Sequence, residues 1–232
     1  MAGFLVLYWR FLKGNGWPRA TSTARRESLR GEPMPASMWQ WSLLAGGLGL
    51  AASIVLFILS HRLLRWPERP HPDFSHIPTI TLLPSLLMSA IVSGISEEAG
   101  FRGYMQGPLE RRYGPLTAIA ITSFAFGLAH LSHGAFLPAI LFDIAWGVLY
   151  GLLTYLSGSI VPAIILHSSA DALEFFAAWK LSPSKPRPLV WEAGPDGLFW
   201  FNCGLVVMLG CVTVWAFTQL ARASCKSLGK LR

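Results

Sequence analysis

Charged residues are scarce in this chain. Only 13% of its 232 residues are Asp, Glu, Lys or Arg, and 53% are hydrophobic. Soluble domains carry about 25% charged residues, and the mean hydropathy of +0.46 is correspondingly high. This balance excludes an ordinary soluble domain. It predicts an all-α fold, a polytopic transmembrane helical bundle that forms one domain.

Cysteine and acidic residues are also few. Three cysteines, at positions 203, 211 and 225, contain no CxxC pair and give no disulfide framework. The 12 acidic residues are outnumbered by 19 basic ones, so the formal charge is +7. The basic residues lie in loops and tails between apolar segments, as membrane topology requires. We therefore do not expect a nucleic-acid partner.

Several enzyme signatures are missing. No His-Glu-x-x-His motif occurs, so a zincin-like metal site is not indicated. No Gly-x-Ser-Gly motif occurs either, which argues against a rhomboid-like serine nucleophile. The absence of a Walker loop excludes a P-loop ATPase.

Apolar segments long enough to cross a bilayer, about 20 residues each, are plentiful. Six are predicted, at about residues 39–60, 80–106, 115–131, 136–156, 160–179 and 198–220. If the N-terminus is inside, 13 of the 19 lysine and arginine residues fall on the inner side. This asymmetry favours two cytoplasmic termini in a multi-pass protein of the cell membrane, which we expect to be a bacterial inner membrane.

The polar ends of the chain define three regions. Residues 1–37 are predicted to be a basic N-terminal tail, residues 38–222 a transmembrane domain, and residues 223–232 a basic C-terminal tail. The apolar run at residues 1–9 is too short for a signal-peptide core. A true start at Met34 or Met38 is an alternative, and the intact mass of the native protein would decide it.

Two adjacent glutamates, Glu97 and Glu98, follow an uncharged run over residues 82–95. Ionisable groups inside a membrane are costly and are by default candidates for function. Arg102 follows Glu98 at the i, i+4 spacing, the favourable order for a helical ion pair. This pairing would allow Glu98 to stay charged and leave Glu97 free to face another helix.

The turn at Tyr113 and Gly114 relates Glu97 to a histidine. Glu97 lies 16 residues before Tyr113, and His130 lies 17 residues after it. Two helical flanks would place each residue about 25 Å from the turn, so the two side chains are predicted to lie at matching depth. A carboxylate beside an imidazole can hold and activate a water molecule. The alternative is an ion-pair network that only locks helices together.

A second polar stripe lies in the fifth predicted span. His167, Asp171 and Glu174 share one helical face, which favours a polar cavity over a single buried histidine. Asp143, in the fourth span, is a weaker candidate, and its alternative role is a hydrogen bond from one helix to another. If each predicted span crosses the membrane as a straight helix, His167 lies nearer the inner surface than His130. His167 and Asp171 would then lie apart from Glu97 and His130 unless a span is tilted or irregular.

Three motifs in order resemble the CPBP family of intramembrane proteases, which includes CAAX prenyl endopeptidases and bacterial Abi-type proteins. The chain has EEAGFRG at 97–103, FGLAH at 126–130 and HSSAD at 167–171. They are similar to the family's EExxFRG, FxxxH and HxxxN/D-type motifs. The resemblance covers about residues 85–174.

This resemblance implies roles for the motif residues. Glu97 would activate water, His130 would hold it, and His167 with position 171 would stabilise the oxyanion. Glu98 and Arg102 would support the site, with Phe126, Glu174 and Asp143 as candidates for its surroundings. Asp171 stands where asparagine is commoner in the family. An ionised aspartate cannot donate a hydrogen bond, so Asp171 would be protonated, orient His167, or bind a cation.

The resemblance also implies an activity: an endopeptidase, CAAX prenyl protease-like, acting on a membrane-tethered or hydrophobic protein or peptide in the lipid bilayer. Catalysis without a cofactor is favoured. Zinc is left open, and its ligands would be Glu97, His130, His167 and Asp171. Two alternatives remain. One is a non-catalytic membrane scaffold or regulatory adaptor of the same family. The other is a small transporter with a proton relay through Glu97, Glu98 and Asp143, although the chain lacks the repeated half typical of transporters.

Overall fold

The computed structural model describes residues 2–31, 34–67, 72–133, 135–180 and 187–229. Within these residues every regular element is helical. The α-helices are α1 (Ala2–Leu12), α2 (Ser22–Leu29), α3 (Ala36–Leu63), α4 (Thr79–Glu98), α5 (Gln106–Tyr113), α6 (Pro115–Ala129), α7 (Leu137–Ser157), α8 (Val161–Lys180), α9 (Val190–Ala193) and α10 (Gly197–Gly229). A π-helical segment, Ala99–Met105, joins α4 to α5 without a break.

Five helical stretches in the described residues are long and apolar enough to cross a membrane: Ala36–Leu63, Thr79–Tyr113, Leu137–Ser157, Val161–Lys180 and Gly197–Lys226. They confirm the helical membrane bundle and five of the six predicted spans. The third predicted span, 115–131, corresponds to α6, which has only 15 residues. Gly114, with φ of 81°, ends α5, and α6 starts with a proline at its first turn.

The long helices pack in neighbouring pairs. α3 packs along α10, α6 along α7, and α4 along α8. Buried side chains from α3, α7, α8 and α10 form the main apolar core, and they include Leu50, Leu153, Leu166 and Leu220. At the far end of α3, Arg62 pairs with Asp196, just before α10, with 2.8 Å between nitrogen and oxygen. The two helices are thus antiparallel neighbours.

The segment predicted as an N-terminal tail contains two helices that pack on the bundle. Leu12 and Leu29 are buried in a second apolar cluster with Ala99 and Ile160. Arg30 ends α2 in the left-handed conformation, with φ of 53°. Its guanidinium pairs with Glu110 of α5, and its carbonyl accepts the N–H of Ile160 at 3.2 Å. The first 31 residues therefore contact the helices that carry the polar motifs.

Candidate active site

Four of the predicted side chains converge from three helices. Glu97 lies at the end of α4, His130 directly follows α6, and His167 and Asp171 lie on α8. Oε2 of Glu97 is 3.8 Å from Nε2 of His130 and 3.9 Å from Nε2 of His167. Nε2 of His167 is in turn 3.6 Å from Oδ1 of Asp171. Both imidazole Nε2 atoms therefore face one carboxylate oxygen.

The spacing around Gly114 predicted the approach of Glu97 and His130, and the distance of 3.8 Å agrees with it. Simple threading, in contrast, placed His167 too far away. α6 extends to the residue before His130, so the position of His130 relative to the turn is the one that the spacing predicts. The position of His167 depends on how α8 packs against α4, which brings its Nε2 to 3.9 Å from Oε2 of Glu97.

One carboxylate oxygen of Glu97 accepts a hydrogen bond, and the other accepts none from the described residues. The hydroxyl of Ser93, one turn earlier on α4, donates to Oε1 at 2.9 Å. Oε2 is buried and has no hydrogen-bond donor among the described residues. Such a buried acceptor is costly unless another group satisfies it. Oε2 is thus the atom of this site that is best placed to accept a proton.

His130 is held in a defined tautomer. Its Nδ1 lies 2.8 Å from the carbonyl oxygen of Phe126, and a carbonyl only accepts hydrogen bonds. Nδ1 therefore carries a proton. In neutral His130, Nε2 is consequently an acceptor, and this atom faces Glu97. The imidazole can then accept a hydrogen bond from a water molecule.

Glu98 and Arg102 form the expected ion pair inside the protein. Nε of Arg102 is 3.4 Å from Oε2 of Glu98, and both side chains are fully buried. The other oxygen of Glu98 lies 2.9 Å from Nδ1 of His167. Glu98 thus connects α4 to α8 and fixes which edge of the His167 ring faces Glu97.

Arg102 is further held by α6 and α7. Its Nη2 donates to the carbonyl of Gly147 at 3.1 Å, and its guanidinium lies 4.5 Å from the ring centre of Phe126. The π-helical segment around Arg102 supplies the backbone geometry. Such segments are rare and occur frequently at functional sites. Phe126, a predicted surrounding residue, is buried and also lies 4.5 Å from the His130 ring.

Ser93 and Tyr150 contact the site although the motifs do not include them. Tyr150 of α7 is fully buried, and its ring stacks on His167 with centroids 5.0 Å apart and an interplanar angle of 11°. The i, i+4 spacing of Ser93 and Glu97 could have indicated Ser93. No local pattern indicates Tyr150, because its contact depends on how α7 packs against α8.

Two weaker candidates lie at the margins. Glu174 is exposed on α8, nearly one turn beyond Asp171. Asp143 is half-buried on α7, one turn before Gly147. Both side chains have interactions within the protein.

The four side chains named as zinc ligands do not form a metal-binding group. Among the described residues, no three His, Cys, Asp or Glu side chains are arranged to hold a metal ion. Nδ1 of His167 already bonds to Glu98.

Comparison with known proteins gives one informative match. No curated protein and no solved structure matches the chain. Residues 79–173 match the family model described as type II CAAX prenyl endopeptidase Rce1-like. The matched segment contains all three polar motifs and runs from the start of α4 to just past Asp171. Over this segment the chain is similar to the Rce1-like family.

Proposed function

We propose that this chain is an intramembrane endopeptidase that hydrolyses a peptide bond with a water molecule activated by Glu97 and His130. The observation that carries this proposal is the buried Oε2 of Glu97, which accepts no hydrogen bond from the described residues and faces Nε2 of both His130 and His167. The Rce1-like match supports peptidase chemistry at this position in the chain.

Water is activated between the first two residues. His130 accepts one hydrogen bond from water at Nε2, and Oε2 of Glu97 takes the other proton as the water oxygen attacks the scissile carbonyl carbon. A C–O bond forms, and the carbonyl oxygen becomes an oxyanion. When the C–N bond breaks, Glu97 passes its proton to the leaving nitrogen, so the products are a carboxylic acid and an amine.

His167 stabilises the oxyanion through Nε2–H in its doubly protonated form. Glu98 accepts the bond from its Nδ1–H, and stacking on Tyr150 holds the ring plane. Preorganised donors of this kind contribute about 3–4 kcal/mol each to transition-state stabilisation. Asp171 orients His167 from 3.6 Å, beyond hydrogen-bond distance, so Nε2–H remains available to the oxyanion. This role requires no donor at position 171.

The substrate reaches the site from the membrane or its surface, because Glu97, His167 and Asp171 lie on helices long and apolar enough to cross a membrane. We propose a membrane-tethered or hydrophobic protein or peptide, which need not be prenylated. The protein acts as a multi-pass protein of the cell membrane with both termini in the cytoplasm.

We propose that catalysis needs no metal ion. Chelation is the direct test. Activity of the purified protein should persist after chelator treatment and should not rise when zinc is added back. Loss of activity on chelation with recovery on zinc addition would instead assign a metal to Glu97 and the two histidines.

The experiment that tests the activity compares host membranes carrying wild type, Glu97→Gln or Glu174→Gln at matched abundance. Mass spectrometry of terminal peptides should reveal a new protein terminus with wild type and with Glu174→Gln, and none with Glu97→Gln. Loss of a general base costs about 100-fold to 10,000-fold in rate.

The same comparison distinguishes a peptidase from a non-catalytic scaffold. A scaffold would show identical termini in all three strains, and Glu97→Gln would retain full biological function. The new terminus, where present, names both the substrate and the cleaved bond.

A further inference from the structure

A polar cavity that none of the motif residues lines lies between the start of α3 and the end of α10. It has a volume of about 620 Å³, within the 300–1,000 Å³ typical of small-molecule sites. Its lining consists of Pro35, Ser37, Trp41, Gln219, Arg222, Ala223 and Lys226. The cavity lies outside the segment that matches the Rce1-like family.

Both charged side chains among the described lining residues are positive. Arg222 and Lys226 are spaced i, i+4, so they project from the same face of α10. No carboxylate of the described residues lines the cavity. Within the described part of the chain neither cation forms an ion pair, and neither Ser37 nor Gln219 makes a side-chain hydrogen bond. The cavity therefore offers two cations and two neutral polar groups to a ligand.

The surroundings place the cavity at a membrane surface. Trp41 lines it and packs edge-on against Trp215, with ring centroids 5.4 Å apart. Tryptophan is enriched where acyl chains meet headgroups. Toward the middle of the same two helices the surface becomes apolar, since Leu44 is 42% exposed and Met208 is 54% exposed. A ligand that fits both regions has an anionic head and apolar chains.

We propose that this cavity binds the headgroup of an anionic phospholipid. Arg222 and Lys226 contact the phosphate, Ser37 and Gln219 donate hydrogen bonds to it, and the acyl chains follow the apolar faces of α3 and α10. Basic pockets between transmembrane helices on the cytoplasmic side recognise lipid headgroups in this way. Because the cationic cavity adjoins the apolar faces of α3 and α10, it fits a lipid better than free phosphate. The site does not depend on the proposed peptidase activity.

Lipid binding at this position should stabilise the protein. The ligand would bridge α3 and α10, the most extensively packed helix pair, and a ligand that binds only the folded state raises its stability by mass action. The effect should weaken as salt screens the two cations.

The experiment uses the purified full chain in a neutral detergent and titrates phosphatidylglycerol, phosphatidylcholine or inorganic phosphate. The readouts are the thermal midpoint and the number of lipids retained in native mass spectrometry. Three proteins are compared: wild type, the double variant R222Q/K226Q, and the control R111Q/R112Q. The control removes the same charge from two exposed arginines of α5 that line no described cavity.

We expect phosphatidylglycerol to raise the thermal midpoint of wild type and of the control, with at least one lipid retained. The apparent affinity of R222Q/K226Q for phosphatidylglycerol should fall by roughly 30-fold. Each cation near an anionic headgroup strengthens binding by about fivefold. The midpoint of each variant without added lipid shows whether it is folded.

Three results would overturn the proposal. R222Q/K226Q could retain the full shift, or both double variants could lose it equally, which would indicate diffuse charge attraction. A shift with inorganic phosphate as large as that with phosphatidylglycerol would assign the cavity to free phosphate.

Discussion

Nδ1 of His167 lies 2.9 Å from Oε1 of Glu98, and both side chains are buried between α8 and α4. Glu98 also pairs with Arg102, so one carboxylate connects two helices and one π-helical segment. Glu97, the next residue, approaches the other nitrogen of the same ring and also Nε2 of His130. The two adjacent glutamates therefore have separable tasks, one in positioning and one in the proposed chemistry.

Glu98→Gln should destabilise the protein strongly. The substitution leaves Arg102 buried without its carboxylate, and breaking a buried ion pair in this way costs about 3–5 kcal/mol. Thermal unfolding in detergent measures the change. Glu97→Gln is the matched control, because the same chemical change at the next position leaves the ion pair intact. A Glu98→Gln protein as stable as Glu97→Gln would show that the buried pair contributes little.

The ion pair between Arg30 and Glu110 should couple the N-terminal helices to α5. Their guanidinium and carboxylate form two bonds, of 3.2 and 2.5 Å, and both side chains are mostly buried. A double-mutant cycle with Arg30→Ala and Glu110→Ala should give a coupling energy of about 0.5–3 kcal/mol. Arg26→Ala, at an exposed position of α2, should change stability by less than about 0.5 kcal/mol.

A coupling energy near zero would contradict this role of the pair. The N-terminal helices would then be held on the bundle by apolar contacts alone, such as those of Leu29 with Ala99 and Ile160.

Gly147→Ala should separate α6 from α7. A Cβ atom at position 147 would lie 2.8 Å from Cα of Ser123, so backbone rather than a flexible side chain must move. We expect a loss of about 1–3 kcal/mol and reduced activity, since α6 carries His130. Gly204→Ala on α10 is the control, because no atom lies within 4 Å of a Cβ there. Equal effects at the two positions would contradict the close packing of α6 on α7.

The contact of Asp196 with Arg62 should make stability depend on pH. Hydrogen bonds from the N–H of Phe199 and from Arg62 lower the pKa of Asp196 below its ordinary value. Protons therefore bind more weakly in the folded than in the unfolded state. The stabilisation is complete above the unfolded pKa of about 4 and is lost as the pH falls through the lower, folded pKa.

Thermal midpoints of wild type and Asp196→Asn at pH values from about 6 to about 3 measure this dependence. Wild type should be the more stable protein at pH 6, and the difference should shrink as the pH falls. A difference that is constant across the range would show that Asp196 does not titrate differently on folding.

Composition and spacing by themselves determined the class of this protein and the pairing within its first motif. Five of the predicted spans and the ion pair of Glu98 with Arg102 follow from local periodicity, because residues four apart on a helix are neighbours in any fold. The depth of His130 relative to Glu97 likewise follows from counting residues on either side of one turn.

Only the tertiary structure decided the rest. Stacking of Tyr150 on His167, the bond from His167 to Glu98, and the docking of α2 on Ala99 all join residues far apart in the chain. Their physical origin is the fit between particular helix faces, which no local period encodes. The level of His167 was decided in the same way, because the packing of α8 against α4 brings its Nε2 to 3.9 Å from Oε2 of Glu97.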